Sequence, residues 1–301
     1  MTGGFEAFRQ WLQALAAGGY LPPSLGYGFA VNALLAGLIA GPMLGFLGTL
    51  VVVKRHAFFS EAVGHAALTG VAIGILAGEP YTSPYGSLFG YCLIFGFALN
   101  YLRHRTGLSP DTLIGVFLSM SLALGASVLL VLAGRINVHI LENVLFGSIL
   151  TVSGTDITIL AIIGLIVVTM TAVFFNRFML ASFNPMLASV RGIPVKVLDY
   201  AFVILVTIVT VACVKIIGAV LVGALLVIPA AGARIVSKSL KGFVALSTGF
   251  ALVATIAGIL VPMETDLPVP SGAAIILAAG CLFIACAVLR TLIPSMRGES
   301  Q

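Results

Sequence analysis

Nine apolar runs of about 20 residues follow one another along the sequence, separated by short polar breaks. An α-helix needs about 20 apolar residues to cross the hydrocarbon core of a bilayer, whereas the strands of a membrane β-barrel show shorter, alternating segments. Only 8% of the 301 residues are charged and the mean hydropathy is +1.18, compared with about 25% charged residues in a soluble domain. The sequence therefore predicts an all-α integral membrane protein with about eight or nine transmembrane helices.

The breaks between the predicted spans differ in strength. The least marked division separates the sixth span from the seventh, where Lys215 and Gly218 are the only signs of a break. Pro229 falls inside the seventh span and is a candidate break between two half-helices. The spans lie near residues 27–53, 58–78, 86–102, 112–134, 155–175, 199–217, 218–236, 243–262 and 272–290.

Glycines recur along several of these spans. Membrane helices associate through close packing, and small residues allow their backbones to approach. Gly41, Gly45 and Gly48 mark one face of the first span. We therefore expect this face to pack closely against another helix.

The lysines and arginines predict the orientation of the chain, because cytoplasmic loops carry an excess of them. Twelve of the 15 fall in one set of loops and three in the other. The larger set is predicted to be cytoplasmic, with the N-terminus outside and the C-terminal tail at 293–301 inside. The net charge of +5 follows from this orientation and gives no case for nucleic acid binding. The twelve are Lys54, Arg55, Arg103, Arg105, Arg177, Arg191, Lys196, Arg234, Lys238, Lys241, Arg290 and Arg297, and the three are Arg9, Arg135 and Lys215.

Residues 1–25 are predicted to form a separate N-terminal segment. They do not form a signal peptide, because no basic region precedes a continuous apolar core. Apolar residues recur there at helical spacing beside polar ones, which predicts an amphipathic helix in the outer membrane interface. The sequence LPPSLGYG then ends this helix before the transmembrane domain at 26–292. The apolar positions are Phe5, Phe8, Trp11, Leu12 and Leu15.

The longest predicted cytoplasmic excursion, residues 180–200, contains signals for a short helix near 184–192. Asn184 suits the N-cap, Pro185 suits the first helical position, and Gly192 suits the position that ends the helix. A second proline, two residues further on, prevents the helix from continuing. A helix of about two turns is not stable alone, so we expect it to need a partner surface.

An acid and a histidine stand four residues apart at the start of the second span, within FFSEAVGHAAL at residues 58–68. Residues four apart share a helix face, so Glu61 and His65 can meet the same ligand. At a rise of about 1.5 Å per residue, His65 lies roughly 12 Å along the helix from Ala57. An ionisable group at that depth costs about 2.5–3.5 kcal/mol or more, and such groups usually face a bundle interior or a water-filled cavity.

Three interpretations of this pair are open from the residues alone. A carboxylate and an imidazole are ligands for divalent transition metals. Because histidine titrates near neutrality, the pair could instead relay protons in a proton-coupled secondary transporter. It could also be a hydrogen-bonded pair that fixes helix packing. Two side chains are too few ligands for these metals, so a metal site would need further donors from other spans or subunits.

Other polar groups are weaker candidates for a site. His56 and His104 fall in basic cytoplasmic loops and are expected to be solvated, as is the acidic outer loop at 263–266. His139 and Glu142 lie in another outer loop. The sequence has no GxxxxGK[ST] motif, so the chain is not expected to bind ATP through a P-loop of its own. It also lacks HExxH and GxSxG motifs, which argues against a membrane metalloprotease or serine hydrolase.

Five segments, in their order along the chain, resemble the permease subunits of ATP-binding-cassette importers for zinc, manganese and iron. The resemblance extends from about residue 27 to residue 290. It implies an importer permease of the metal-chelate type in a prokaryotic cell membrane. The segments are GPMLGFLGTLVVVKRHAFFSEAVGHAALTGVAIG, LSPDTLIGVFLSMSLALG, FNPMLASVRGIPV, IIGAVLVGALLVIPAAGAR and DLPVPSGAAIIL.

The resemblance also implies partners and a transported ion. The permease is expected to work as a homodimer in membrane lipid, with separate ATPase subunits that use ATP and an extracytoplasmic metal-binding protein. No tightly bound cofactor is expected. Glu61 and His65 are expected to line the route of a divalent metal, zinc or manganese, with iron as a third candidate. Many members of the family carry aspartate at the position of Glu61, so glutamate adds a methylene of reach here.

The short helix near 184–192 is similar to the coupling helix of this family, which inserts into a groove of the ATPase. The family often has Asp and Glu around the proline, where this chain has Asn184 and Met186. That difference removes two negative charges from the expected ATPase contact. The residues expected to couple to the ATPase are Asn184, Pro185, Leu187, Val190, Arg191 and Gly192.

Overall fold

The computed structural model describes residues 2–20, 22–79, 85–132, 152–265 and 269–292, apart from the side chains of residues 2–5, 8 and 215. Within these ranges the chain is helical and contains no β-strand. Nine of the described helices are long and apolar enough to cross a membrane, which confirms the predicted fold class and number of spans. The nine are α2 (Gly28–Val53), α3 (Ala57–Leu76), α4 (Tyr85–Thr106), α5 (Pro110–Leu132), α6 (Gly154–Phe183), α8 (Val195–Ile217), α9 (Ala219–Val236), α10 (Leu240–Glu264) and α11 (Ser271–Leu292).

The division between the sixth and seventh spans falls where the sequence places it. Helix α8 ends at Ile217, and α9 begins at Ala219. Gly218 between them has a φ of +85°, a conformation that glycine adopts without steric cost. The predicted break at Pro229 is wrong, because α9 continues through this residue to Val236. Proline is tolerated inside a spanning helix where neighbouring helices pack against it, and Pro229 is buried.

The N-terminal segment contains the predicted helix, α1, at Thr2–Ala17. A 3-10 turn at Pro23–Gly26 separates α1 from α2, and the Gln13 side chain donates to the carbonyl of Gly26 at 3.1 Å. Trp11 on α1 is exposed, whereas Ala16 is buried. Helix α1 therefore has one exposed and one buried side. Its position in the outer membrane interface stays a prediction.

The described residues group into two compact units. The first comprises the described residues within 1–49, 148–165 and 224–301. In this unit α2 packs closely on α9 and α10 through its glycines: a methyl group added at Gly48 would lie 2.1 Å from the carbonyl oxygen of Leu226. The Ser247 hydroxyl donates to the carbonyl of Gly45 at 2.6 Å. The predicted glycine face of the first span is thus confirmed as a close helix contact.

The second unit comprises the described residues within 50–147 and 166–223 and contains the candidate site. Helix α3 lies at its centre and packs against α4, α5 and α8. The Thr69 hydroxyl donates to the carbonyl of Ser121 on α5 at 2.8 Å, beside Gly125, where an added methyl group would lie 2.6 Å from the same hydroxyl. Most residues of α3 are buried among these neighbours, which positions the side chains near its start.

Candidate functional site

Helix α3 begins after a tight turn and presents Glu61 and His65 one turn apart. Arg55 in this turn has a φ of +57°, and the next residue, His56, accepts from the amide of Phe59 at 3.0 Å. The apolar run that follows then forms a helix from Ala57 to Leu76. Because residues four apart lie on one helix face, the two predicted site residues share a face in the structure.

The Glu61 side chain is exposed on the surface of the chain, although it lies inside a spanning helix. Within the described part of the chain it makes no hydrogen bond or ion pair. The first turns of α9 pass beside it, where a methyl group added at Gly223 would lie 3.7 Å from Glu61 Cβ. The small residue at this position leaves space next to the carboxylate.

His65 is half-buried, and its Nδ1 atom is enclosed without a hydrogen-bond partner. A buried polar atom without a partner is unusual, because most are satisfied by protein or water. His65 and Glu61 are not hydrogen-bonded to each other, so the interpretation of the two as a hydrogen-bonded packing pair is wrong. Within the described residues, neither the enclosed Nδ1 of His65 nor the exposed Glu61 carboxylate has a protein hydrogen-bond partner.

This donor set suits a divalent transition metal, since imidazole binds zinc and carboxylate binds manganese. Across the residues that the structure describes, no group of three or more His, Cys, Asp or Glu side chains could hold a metal ion. Within the described residues, the Glu61–His65 pair therefore has no third His, Cys, Asp or Glu side chain beside it.

The predicted short helix is α7, Pro185–Val190. The Asn184 side chain accepts from the Leu187 amide at 2.9 Å and caps the first turn. At the other end, Gly192 has a φ of +71°, and its amide and that of Ile193 donate to the carbonyls of Ser189 and Ala188 at 3.0 Å each. These two backbone hydrogen bonds form the Schellman motif, which ends a helix at a glycine. The start and end signals are confirmed.

Helix α7 exposes apolar side chains outside the spanning helices. Met186 is 80% exposed and Val190 is 79% exposed, whereas Ala188 is fully buried. Leu187 is less exposed than these two, and Arg191 follows the helix as an exposed cation. The helix therefore offers a compact apolar surface with a basic edge.

A group of buried and partly buried side chains, which we call the His56 cluster, lies at the turn between α2 and α3 and comprises Lys54, His56, Arg103, Asp199 and Phe202. Arg103 Nη1 lies 2.9 Å from His56 Nε2, and His56 Nδ1 lies 2.7 Å from the Lys54 carbonyl oxygen. Because a guanidinium can only donate, the imidazole accepts at Nε2 and donates at Nδ1. The Lys54 ammonium forms an ion pair with Asp199 and lies 5.1 Å from the centre of the Phe202 ring.

The expectation that His56 is solvated is therefore wrong. The residue is only 2% exposed and its ring packs edge-on against Phe202, with the ring centres 5.6 Å apart. Burial, followed by the nearby Arg103 guanidinium, lowers the pKa of His56 from 6.5 to about 4. His56 is thus a neutral hydrogen-bonding group at physiological pH.

His104 lies at the edge of this cluster rather than inside it. Its Nε2 atom is 3.8 Å from the Asp199 carboxylate, and its ring packs beside Tyr200. The side chain is 26% exposed, so the expected solvation holds in part. The predicted loop residues His139, Glu142 and Asp266 lie outside the described residues.

One residue in the sequence pointed to the His56 cluster and was not used in the prediction. Asp199 is an isolated acid near the start of an apolar helix in a chain with only ten acidic residues. Its basic partner is one of a dozen cations in the predicted cytoplasmic loops, so the pairing could not be chosen from sequence. At the end of α10, the exposed Glu264 carboxylate accepts from the Ser24 amide at 3.1 Å, so Glu264 is bonded to the N-terminal segment and not only solvated.

The nine candidate spanning helices in the described part of the chain are those of a multi-pass membrane protein. The chain belongs to the ABC 3 transport family, whose model matches residues 26–290. It is 32% identical over 86% of its length to a manganese transport system membrane protein, MntC, of Halalkalibacterium halodurans, of which it covers 86%. It is 31% identical over 84% of its length to a high-affinity zinc uptake system membrane protein, ZnuB, of Haemophilus influenzae, of which it covers 94%.

The fold of this chain is also similar to that of two solved transporter structures. The chain is similar to a chain of PsaBC from Streptococcus pneumoniae, solved in complex with Fab, with a TM-score of 0.74 and 28% sequence identity. The match covers 86% of this chain and 91% of that one. An inward-facing metal-chelate type ABC transporter, at 18% identity, shares the fold with a TM-score of 0.65 over 86% of this chain and 85% of its own.

Proposed function

We propose that this chain is the permease subunit of an ATP-driven importer of a divalent transition metal, zinc or manganese. The observation that carries the proposal is the Glu61–His65 pair: an exposed carboxylate and an unpartnered imidazole nitrogen on one face of a spanning helix. Relatives named for manganese and for zinc transport support both metals. The comparisons give no support to a proton-coupled secondary transporter.

The exposure of Glu61 supports a homodimer. A carboxylate inside a spanning helix costs about 2.5–3.5 kcal/mol or more when it faces hydrocarbon, so this face of α3 needs a polar cover. A second copy across a two-fold axis supplies that cover and a second Glu61–His65 pair. Two pairs give four ligands, a number that zinc takes in tetrahedral sites. The metal route then runs near the two-fold axis, where each copy contributes half of the donors.

The surface of α7 supports a separate ATPase partner. Met186 and Val190 lie on a six-residue helix that is too short to be stable alone, and burial of their apolar area in a groove would stabilise it. The helix that docks is started and ended by Asn184, Pro185 and Gly192. Its contact surface also includes Leu187 and, at its basic edge, Arg191. The ATPase supplies ATP hydrolysis, so this chain is a transport subunit and not an enzyme.

The predicted orientation of the chain in the membrane indicates on which side each partner lies. With the N-terminus outside and the C-terminus in the cytoplasm of a prokaryotic cell, α7 and the His56 cluster face the cytoplasm. An extracytoplasmic metal-binding protein delivers the ion to the opposite side. The metal then enters the route lined by Glu61 and His65, which hold it transiently.

Uptake of radiolabelled zinc or manganese by the complete complex in proteoliposomes tests the proposal. His65→Ala removes the nitrogen donor and is expected to abolish ATP-dependent uptake, whereas Glu61→Asp keeps the charge and is expected to be mild. Asp111→Asn is a matched control, because it removes an exposed carboxylate at the start of α5, away from the pair. Normal uptake per folded His65→Ala complex would refute the metal route.

A further inference from the structure

The His56 cluster joins α8, the helix that follows the proposed coupling helix α7, to the start of α3, the helix that carries Glu61 and His65. On one side, residues 191–194 join α7 directly to α8. This link is held by the Schellman bonds of Gly192 and Ile193 and by the Leu198 amide, which donates to the Pro194 carbonyl at 3.1 Å. Asp199 lies in the second turn of α8, so it moves with α7 when the link stays folded.

On the other side, the cluster holds the residue on which α3 starts. The carbonyl of His56 accepts from the Phe59 amide, and its ring is fixed at both nitrogens. Glu61 follows five residues later and His65 nine residues later, about 7.5 Å and 13.5 Å along the helix. Because a helix of this length is rigid, a shift of its first turn displaces both donors.

The side chains inside the cluster are closely packed and have little room to move relative to one another. The side chains of Lys54 and Asp199 are 6% and 14% exposed, and the ammonium is enclosed between the carboxylate and the Phe202 ring. Buried ion pairs are weak contributors to stability, although removing one partner is strongly destabilising. Their directional contacts restrict the relative positions of the helices that carry them.

We propose that the His56 cluster is the link through which movement of α7 on the ATPase reaches Glu61 and His65. The inference rests on the proposed function, since it assumes an ATPase docked at α7 and a metal held at the pair. The members of the cluster are positioning residues, and none of them contacts the metal. When α8 moves, its residues Asp199 and Phe202 move with it. Through their contacts with Lys54 and His56, this movement displaces the start of α3.

The test measures how many ATP molecules the complete complex hydrolyses in proteoliposomes for each manganese or zinc ion imported. Arg103→Gln removes the guanidinium that holds His56 Nε2. Arg105→Gln is the matched control, because Arg105 lies two residues further on in α4 but is exposed and contacts the Tyr101 ring instead. Coupling networks change by about 2- to 30-fold on substitution, so the ratio is expected to rise by that factor for Arg103→Gln and to stay unchanged for Arg105→Gln.

A second pair of variants separates linkage from folding. His56→Leu removes both ring hydrogen bonds, whereas His56→Gln keeps an amide that can accept from Arg103 and donate to the Lys54 carbonyl. We expect His56→Leu to raise the ATP-to-metal ratio and His56→Gln to restore it, with thermal stability measured in parallel. If Arg103→Gln does not fold, this pair decides the question.

The outcomes distinguish this inference from the proposed function. A wild-type complex that imports metal with ATP, together with unchanged ratios in folded Arg103→Gln and His56→Leu, would overturn the link alone. A wild-type complex that imports neither metal would overturn the proposed function and the link with it.

Discussion

Helices α10 and α11 cross at Gly258, where the two backbones leave no room for a side chain. A methyl group added at Gly258 would lie 2.4 Å from both the Cα and the amide nitrogen of Ile275. Ordinary contacts begin at 3.4 Å, so Gly258→Ala requires the helices to separate by about 1 Å. The clash is with backbone atoms, so rotation of a side chain cannot relieve it.

The expected loss of stability follows from this separation. A radial gap of about 0.5–1 Å already forfeits a quarter to a half of the dispersion energy of each atom pair, and overpacking typically destabilises by about 1–3 kcal/mol, occasionally more. In α10 the matched control is Gly249→Ala, because no atom lies within 4 Å of a methyl group there. Since alanine is the better helix former by up to about 1 kcal/mol, we expect this control to be neutral or slightly stabilising.

Thermal unfolding of the purified protein in one detergent or nanodisc system measures the difference. A change of 1 kcal/mol corresponds to roughly 2–4 °C in a domain of this order of size, so Gly258→Ala is expected to melt several degrees below the wild type. Gly249→Ala is expected to melt at or above the wild-type temperature. Equal melting temperatures for the two variants would refute the packing of α10 on α11 described above.

Two further predictions concern the coupling helix and the buried histidine. Val190→Asp places a charge on the exposed apolar surface of α7 and is expected to lower ATPase binding and uptake without unfolding the permease; normal uptake with normal ATPase binding would contradict the docking assignment. For His56, the folded pKa of about 4 lies below the ordinary value of 6.5, so the unfolded chain binds more protons between these values. Its contribution to stability is therefore complete above pH 6.5 and is lost as the pH falls towards 4, by up to about 3 kcal/mol. His56→Gln should weaken this acid sensitivity in melting experiments, and an unchanged pH profile would count against the buried neutral imidazole.

Local sequence signals were sufficient for the elements of the fold. The spans follow from runs of apolar residues whose length matches the bilayer, and α7 follows from Asn184, Pro185 and Gly192, whose effects reach only across one turn. The Glu61–His65 pair was also readable, because helical periodicity alone places residues four apart on one face. Pro229 was misjudged, since its effect on α9 depends on the helices packed around it.

The contacts between elements could be decided only by the tertiary structure. His56 and Arg103 are 47 residues apart in the chain, and Lys54 and Asp199 are 145 residues apart. Each of these residues resembles other polar residues near the ends of spans, so sequence gives no reason to pair them. The burial of His56 was therefore missed.

The sequence by itself determined that the chain spans a membrane, roughly where its spanning helices lie, and that Glu61 and His65 share a face of α3. Only the tertiary structure decided that Glu61 is exposed, that Gly223 lies beside it, and that the start of α3 is joined to α8 through the His56 cluster. The physical reason is that hydropathy sets the length and depth of a membrane helix, but lipid and protein interiors are equally apolar. The choice of neighbour then depends on close packing and on hydrogen bonds between distant residues.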